Sequence, residues 1–262
     1  MKNIKYNLKI FISYSRLYLK IIFQSRLGIF LFTLGKIIRF LFFLGIIFIV
    51  FSKNNQIKGW SLNQVLLVYF VFNFLDTATQ MLFREVYRFR SILISGNLDL
   101  ILTKPHHPLL KVLLGGVDFL DFILLLPFFI ILNYLLFLNF QGIINFLLFW
   151  VFIFNSFLIL ASFHILVLSS AIFTADVDHS IFIYRDILRL GQFPIDIYKF
   201  PINFVFTFII PIGIITFLPV KIFYFAINLK IAFLGLFFSL FFIIFSLKLW
   251  NKALAFYQSA SS

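Results

Sequence analysis

The chain has 262 residues, 63% of them hydrophobic and 12% charged. A soluble domain carries roughly 25% charged residues, so a water-soluble core is excluded. The formal charge of +13 raises nucleic acid as a partner, and the lack of Cys excludes disulfides, thiolate metal sites and Cys nucleophiles. The redox compartment stays open, and the 43 Phe read as apolar filler for lipid-facing positions.

The first 26 residues are basic. Lys9, Arg16 and Lys20 interrupt any apolar stretch long enough for a signal peptide, and no A-x-A site follows, so the N-terminus is expected to be retained. Lys2, Lys5, Lys9, Arg16 and Lys20 recur at steps of three, four, seven and four, which is one stripe of a helix. Ile4, Leu8, Phe11, Ile12, Tyr18, Leu19 and Ile21 occupy much of the remainder. The pattern predicts an amphipathic helix over 1–26, lying flat in the headgroup layer with its ammonium groups toward anionic lipid or a partner.

Spans are predicted at about 30–51, 62–83, 112–138, 143–172, 203–219 and 231–247, giving one all-α, polytopic transmembrane domain over 1–262. The stretch 143–173 has no charged side chain, and roughly 20 apolar residues suffice to cross a bilayer. With the N-terminus in the cytosol, sixteen of the 22 Lys and Arg fall on cytosolic segments, while Lys53, Lys58, Lys221 and Lys230 lie outside. That is the positive-inside asymmetry of an even number of spans, with both termini cytosolic in a prokaryotic cell membrane. Nucleic acid becomes unnecessary as an account of the charge.

Lys36 and Arg39 are three apart on the first span, and Asp118 and Asp121 are three apart on the third, so each pair shares a face. Asp76 on the second span reaches a similar depth. Each such charge costs on the order of 2.5–3.5 kcal/mol at a helix centre on insertion scales. Two cations and three carboxylates at one level therefore predict an ion-paired layer joining these spans. Snorkelling of the two cations to the inner headgroups and a substrate or proton pathway through the acids are the alternatives. Between the first two spans, Trp60 reads as an interfacial belt residue, and Ser61 with Gln64 fits a capping box.

The loop over 84–111, predicted to be cytosolic, leads into ISGNLDLILTKPHHPLLKVL (94–113). Asn97 or Asp99 can cap a short helix, Leu98, Ile101 and Leu102 give it an apolar face, and Pro105 stops it. Such a helix suits docking into a partner's groove. His106, His107 and, on the fourth span, His164 lack further ligands at metal spacing, so no metal site is predicted. No G-x-x-x-x-G-K-[ST] loop and no Ser nucleophile elbow occur, so the chain is not expected to hydrolyse nucleotide by itself or to act as an enzyme.

The segment 174–202 carries Asp176, Asp178, His179, Arg185, Asp186, Arg189, Asp196 and Lys199, which is costly in hydrocarbon. It is expected to be cytosolic or interfacial, with part of it able to dip into the membrane. Pro194, Pro201, Pro211 and Pro219 follow closely, so the fifth span is either kinked or broken and re-entrant.

Taken in order, GWSLNQVLLVY (59–69), SGNLDLILTKPHHPL (95–109), FPIDIYKFPINFVFTFIIPIGIITFLP (193–219) and LWNKALAFYQSASS (249–262) resemble the type-2 ABC exporter permeases. The resemblance is to the six-span branch with a G-x-L-D-x-x-L-[TR]-[KR]-P loop, and it covers nearly the whole chain. It implies a transmembrane subunit of an ATP-binding-cassette exporter with an interfacial N-terminal helix. The loop around Gly96, Leu98, Asp99, Leu102, Thr103, Lys104 and Pro105 would be the coupling helix received by a separate ATPase subunit. Two ATPase copies would bind ATP and Mg, with no cofactor on this chain, and a second permease chain, homologous or identical, would complete the complex. An ATP-independent carrier or lipid scramblase, and a structural membrane scaffold, are the readings from other classes. The Phe-rich spans suit a hydrophobic or amphipathic substrate without choosing one.

Overall fold

A computed structural model describes residues 2–53, 55–174, 178–225 and 229–258. Asp176 and the last four residues of the C-terminal motif thus lie outside the described residues. The helices in chain order are α1 (Lys2–Ile22), α2 (Arg26–Lys53), α3 (Leu62–Leu82), α4 (Phe89–Ile94), α5 (Asn97–Leu102) and α6 (Pro108–Leu114). There follow α7 (Phe119–Leu138), α8 (Ile143–Thr174), α9 (Asp178–Arg189), α10 (Ile202–Phe204), α11 (Leu218–Tyr224) and α12 (Leu229–Phe256). Among the described residues the regular structure is all-α. Among the described residues five helices are long and apolar enough to cross a membrane: α2, α3, α7, α8 and the part of α12 from Lys230. The protein is a multi-pass membrane protein.

The core forms around α8 and α3. Phe149, Phe152, Ile159 and Leu160 of α8 are buried against Val65, Leu67, Val68 and Val71 of α3 and Leu132 and Leu136 of α7. Helix α3 is apolar on nearly every side and is buried accordingly, whereas α2, equally apolar, buries Ile47 alone. Asn155 of α8 donates to the carbonyl of Gly235 at 3.1 Å, fixing α12 alongside. Ser61 opens α3 with its N–H donating to Gln64 Oε1 at 2.9 Å, an orphan donor satisfied as a capping box requires.

The bundle has two distinct ends. At one, the base, a second apolar cluster holds Phe89, Leu98, Ile101, Val112 and Leu113 of the loop helices against Leu168, Ala171 and Trp250. At the far end, Trp60 packs on Phe217 and Phe225, with ring centroids 5.0 and 5.7 Å apart.

Two boundaries differ from the sequence expectation. The third apolar run does not start at 112: α6 stops at Leu114, the chain turns through Gly115, Gly116 and Val117, and α7 begins after Asp118. Gly115 has φ +48, and a Cβ on Gly116 would stand 2.4 Å from Tyr18 Cδ2, so Gly115 makes the turn and Gly116 lets α1 approach the elbow. Asp118 is consequently a helix cap rather than an intrahelical partner of Asp121.

The fifth span differs more. Arg185 of α9 lies over the Tyr87 ring, 5.5 Å from its centroid, at the base. Twelve positions on, the Ile197 carbonyl accepts from Lys58 Nζ at 3.1 Å, at the far end. Residues 178–197 therefore connect the two ends, and Lys199 follows at the far end rather than at the base. The segment expected as a span, 203–219, lies within a bent pair, Ile202–Ile209 and Gly213–Tyr224, meeting at 79°. Both its ends sit at the far end, since it starts just past Ile197 and finishes where Asn145 Nδ2, at the start of α8, donates to the Phe223 carbonyl at 3.3 Å. Pro211 stands in the break, where it can donate no backbone bond. Such a turn within apolar surroundings needs protein cover, and Ile212 to Phe217 are buried, with Ser156 Oγ 3.4 Å from the Ile214 carbonyl.

Candidate functional site

Three groups of side chains converge at and above the base. The first is the loop. Gly96, at φ 70, starts α5; neither Asn97 nor Asp99 is the cap, and Asn97 instead donates to Ser95 Oγ at 2.7 Å. Thr103 ends the helix with its N–H on the Asp99 carbonyl at 3.2 Å and its hydroxyl on the Leu100 carbonyl at 3.0 Å. Pro108 then opens α6, where its missing N–H is no loss. Leu98 and Ile101 point inward and are buried, so Leu98 is not on the outward face. That face carries Leu100, 61% exposed, and Leu102, 37% exposed, with Thr103, Lys104 and Pro105 also exposed. Leucines at three successive even positions offer the helix two apolar sides, and spacing alone does not say which is turned in.

The second group is the charged layer. Lys36 Nζ pairs with the Asp121 carboxylate and donates to Gln80 Oε1 at 3.1 Å. Gln80 Nε2 donates to Asp76 Oδ2 at 2.8 Å, and Arg39 stands 3.6 Å from the same carboxylate oxygen. A continuous chain of contacts thus joins α2, α3 and α7. Asp118 is not in it: its carboxylate caps α7 by accepting from the Leu120 and Asp121 N–H groups at 3.0 and 3.4 Å. Its charge faces Arg84 at 3.5 Å. Gln80 and Arg84 follow Asp76 at steps of four, a helical interval that could have brought both to notice.

The third group centres on Glu85, which is 6% exposed and lies in the short turn between α3 and α4. It accepts from the Tyr18 hydroxyl and from Lys111 Nζ at 3.1 Å, and Arg88 is 3.6 Å away. Burial, then the hydrogen bond to Glu85, pushes the Tyr18 phenol up to about 12, so it remains a donor at neutral pH. Lys111 lies 4.0 Å from the Tyr14 ring centroid and Arg88 4.6 Å from that of Tyr18, cation–π contacts that hold α1 to the loop. Ser15 Oγ accepts from the Val117 N–H at 3.0 Å. Glu85 is the one acid of a basic stretch, REVYR, and that isolation is the signal that could have found it.

His164 is buried among Phe83 and Tyr184 with Nδ1 2.8 Å from the Leu160 carbonyl, and His106 lines a cavity of about 500 Å³ between α1 and α6. Among the described residues no three His, Cys, Asp or Glu gather as a metal set. The arrangement can relay displacement from the loop to α1, α2 and α7.

Comparison with curated proteins and with solved structures returns no match. A protein-family comparison matches residues 34–261 to the ABC-2 family transporter proteins, and the chain, with its apolar helices and its loop packed at one end, belongs to that family of membrane transport components.

Proposed function

We propose that the chain is the permease subunit of an ATP-binding-cassette exporter of the six-crossing branch, moving a hydrophobic or amphipathic substrate outward across the cell membrane. The crossings are α2, α3, α7, α8, residues 178–197 and α12, and the base with both termini faces the cytosol. The distribution of Lys and Arg supports this orientation. Two ATPase subunits bind ATP and Mg and dock on the 94–109 loop, and a second permease, homologous or identical, completes the complex.

The observation that carries the docking is the two-sidedness of α5. Its inner side is locked into the base by Leu98 and Ile101, while Leu100 and Leu102 stand outward beside Lys104. A push on the outer side is therefore delivered through a packed unit to Glu85 and to Asp118 at the start of α7. Closure of the ATPases drives rocking of the spans because the contacts differ between the two states.

The test is Leu100→Asp with Leu102→Asp in the complex co-expressed with a cassette ATPase and reconstituted in vesicles. Exposed positions change stability by about 0.5 kcal/mol or less, so melting should be unchanged while the pull-down of the ATPase and ATP-dependent transport are lost. Parent-level capture and transport would discard the docking assignment.

A further inference from the structure

A strongly basic cleft of about 640 Å³ lies between α2, the base end of α3 and α9. Its polar lining consists of Lys36, Arg39, Arg84, Arg88, Arg185 and Arg189, with Gln80 and Tyr87. Among the described residues no carboxylate lines it. Asp121, Asp76, Asp118 and Glu85 sit behind the cations, each engaged by one of them, and Asp186 engages Arg189 at 2.7 Å.

The way these cations are engaged matters. The guanidiniums of Arg39, Arg84 and Arg88 approach their carboxylates at 3.5 to 3.6 Å, beyond good hydrogen-bond length, so most of the five N–H donors of each remain unspent. Arg185 has no carboxylate partner among the described residues. Its Nε is buried without a hydrogen bond, and its charge rests over the Tyr87 ring. Burial holds the Tyr87 phenol up to about 12, so it is an O–H donor rather than a competing anion. Apolar side chains edge the cleft: Leu31 and Phe182 are each 57% exposed, and Phe32 lies under Lys36 and Arg84. Unspent forked donors beside an apolar lip match an anionic group carried on a hydrocarbon chain, because guanidinium binds phosphate, sulfate or carboxylate bidentately and the charge gains strength away from bulk water.

We infer that this cleft is a binding site for the anionic headgroup of an amphiphile, held by Arg185 and Arg189 of α9 against Arg84 and Arg88, with its chain along Leu31 and Phe182. The inference rests on the permease reading only where the amphiphile is taken as cargo; a bilayer lipid presents the same chemistry.

The test uses the full chain in neutral detergent, without any ATPase, and dodecyl phosphate as probe, with dodecyltrimethylammonium and inorganic phosphate beside it. Dodecyl phosphate should bind, more weakly as salt is raised, and Arg185→Gln with Arg189→Gln should weaken it about a hundredfold, the loss of one charge-assisted hydrogen bond at each position. Arg185→Lys, which keeps the charge and removes the fork, should fall between, and carries the test should the double variant not fold. Equal binding by parent and variants, or equal binding of the ammonium probe, overturns the site. Inorganic phosphate binding as tightly as dodecyl phosphate overturns the amphiphile. In vesicles of the complex, stimulation of ATP hydrolysis by added dodecyl phosphate identifies cargo, and equal stimulation by phosphatidylglycerol in the bilayer identifies lipid. A chain that binds the probe but captures no ATPase leaves this site standing while the exporter reading falls.

Discussion

The two ends of the molecule are held together by different forces. At the base an apolar cluster around Trp250 seats the loop helices, and α1 and α7 are joined to it through polar and charged contacts: the Tyr18 hydroxyl on Glu85, Lys111 on Glu85 at 3.1 Å and Arg84 on Asp118 at 3.5 Å. At the far end, the re-entrant pair is held by rings and branched chains, with Trp60 on Phe217 at 5.0 Å and Phe149 on Phe223 at 6.0 Å. The ion pair there, Lys221 with Asp196 at 3.8 Å, is 39% and 50% exposed and adds little. Ion pairs can exchange partners as discrete states, whereas a close-packed apolar seat resists deformation. The charged joints of the base are suited to rearrange and the far end to stay.

The largest expected break is Glu85→Ala. It leaves Lys111, 13% exposed, without its carboxylate, and uncompensated buried charges of this kind cost about 3–5 kcal/mol. Thermal unfolding in detergent should show the loss, and adding Lys111→Met should recover part of it; a single variant as stable as the parent refutes the idea that Glu85 anchors the base. At the far end, Ile215→Val, in a residue 1% exposed, should cost about 0.5–1.5 kcal/mol. No second substitution should rescue it, since a lost methyl leaves no stranded partner. Rescue by a charge change elsewhere would erase the contrast between the ends.

The smallest energetic effect, and the sharpest on geometry, comes from labelling. Cys at Lys199 and at Lys58 should both react with an impermeant thiol reagent in intact cells, and Cys at Lys104 should not. Stability should stay within about 0.5 kcal/mol of the parent. Lys199 protected together with Lys104 would return 178–197 to one side of the membrane.

That segment also shows where sequence reading reaches its limit. The five long spans are legible because lipid demands apolar side chains whatever packs beside them, and the pairing of Lys36 and Arg39 with acids is legible because a charge at that depth needs a partner. Residues 178–197 read as polar because their charges are counted along the chain. In the structure Arg185 sits at the base and Asp196 beside Lys58 and Lys221 at the far end, so Leu188 and Ile195 are left to face the core. Gly115 and Gly116 interrupt an otherwise continuous apolar run, and the close approaches that require them, of Glu85 to Gly115 and of Tyr18 to Gly116, come from distant segments. For α5, Leu98 and Leu102 share one helix side in the sequence, and only the presence of Trp250 and Leu168 decides that Leu98 turns in.

Helix α2 has a mechanical consequence. Its firm attachments cluster at mid-length: Lys36 on Asp121, Arg39 on Asp76, and the Tyr69 hydroxyl donating to the Phe40 carbonyl at 2.8 Å. Beyond them Ile47 is its one buried residue, and trading protein for lipid along the rest has little driving force in hydrocarbon. A rod pinned at its centre is a seesaw with arms of about 20 Å. Drawing the Arg26 end toward the bundle would swing the Lys53 end away.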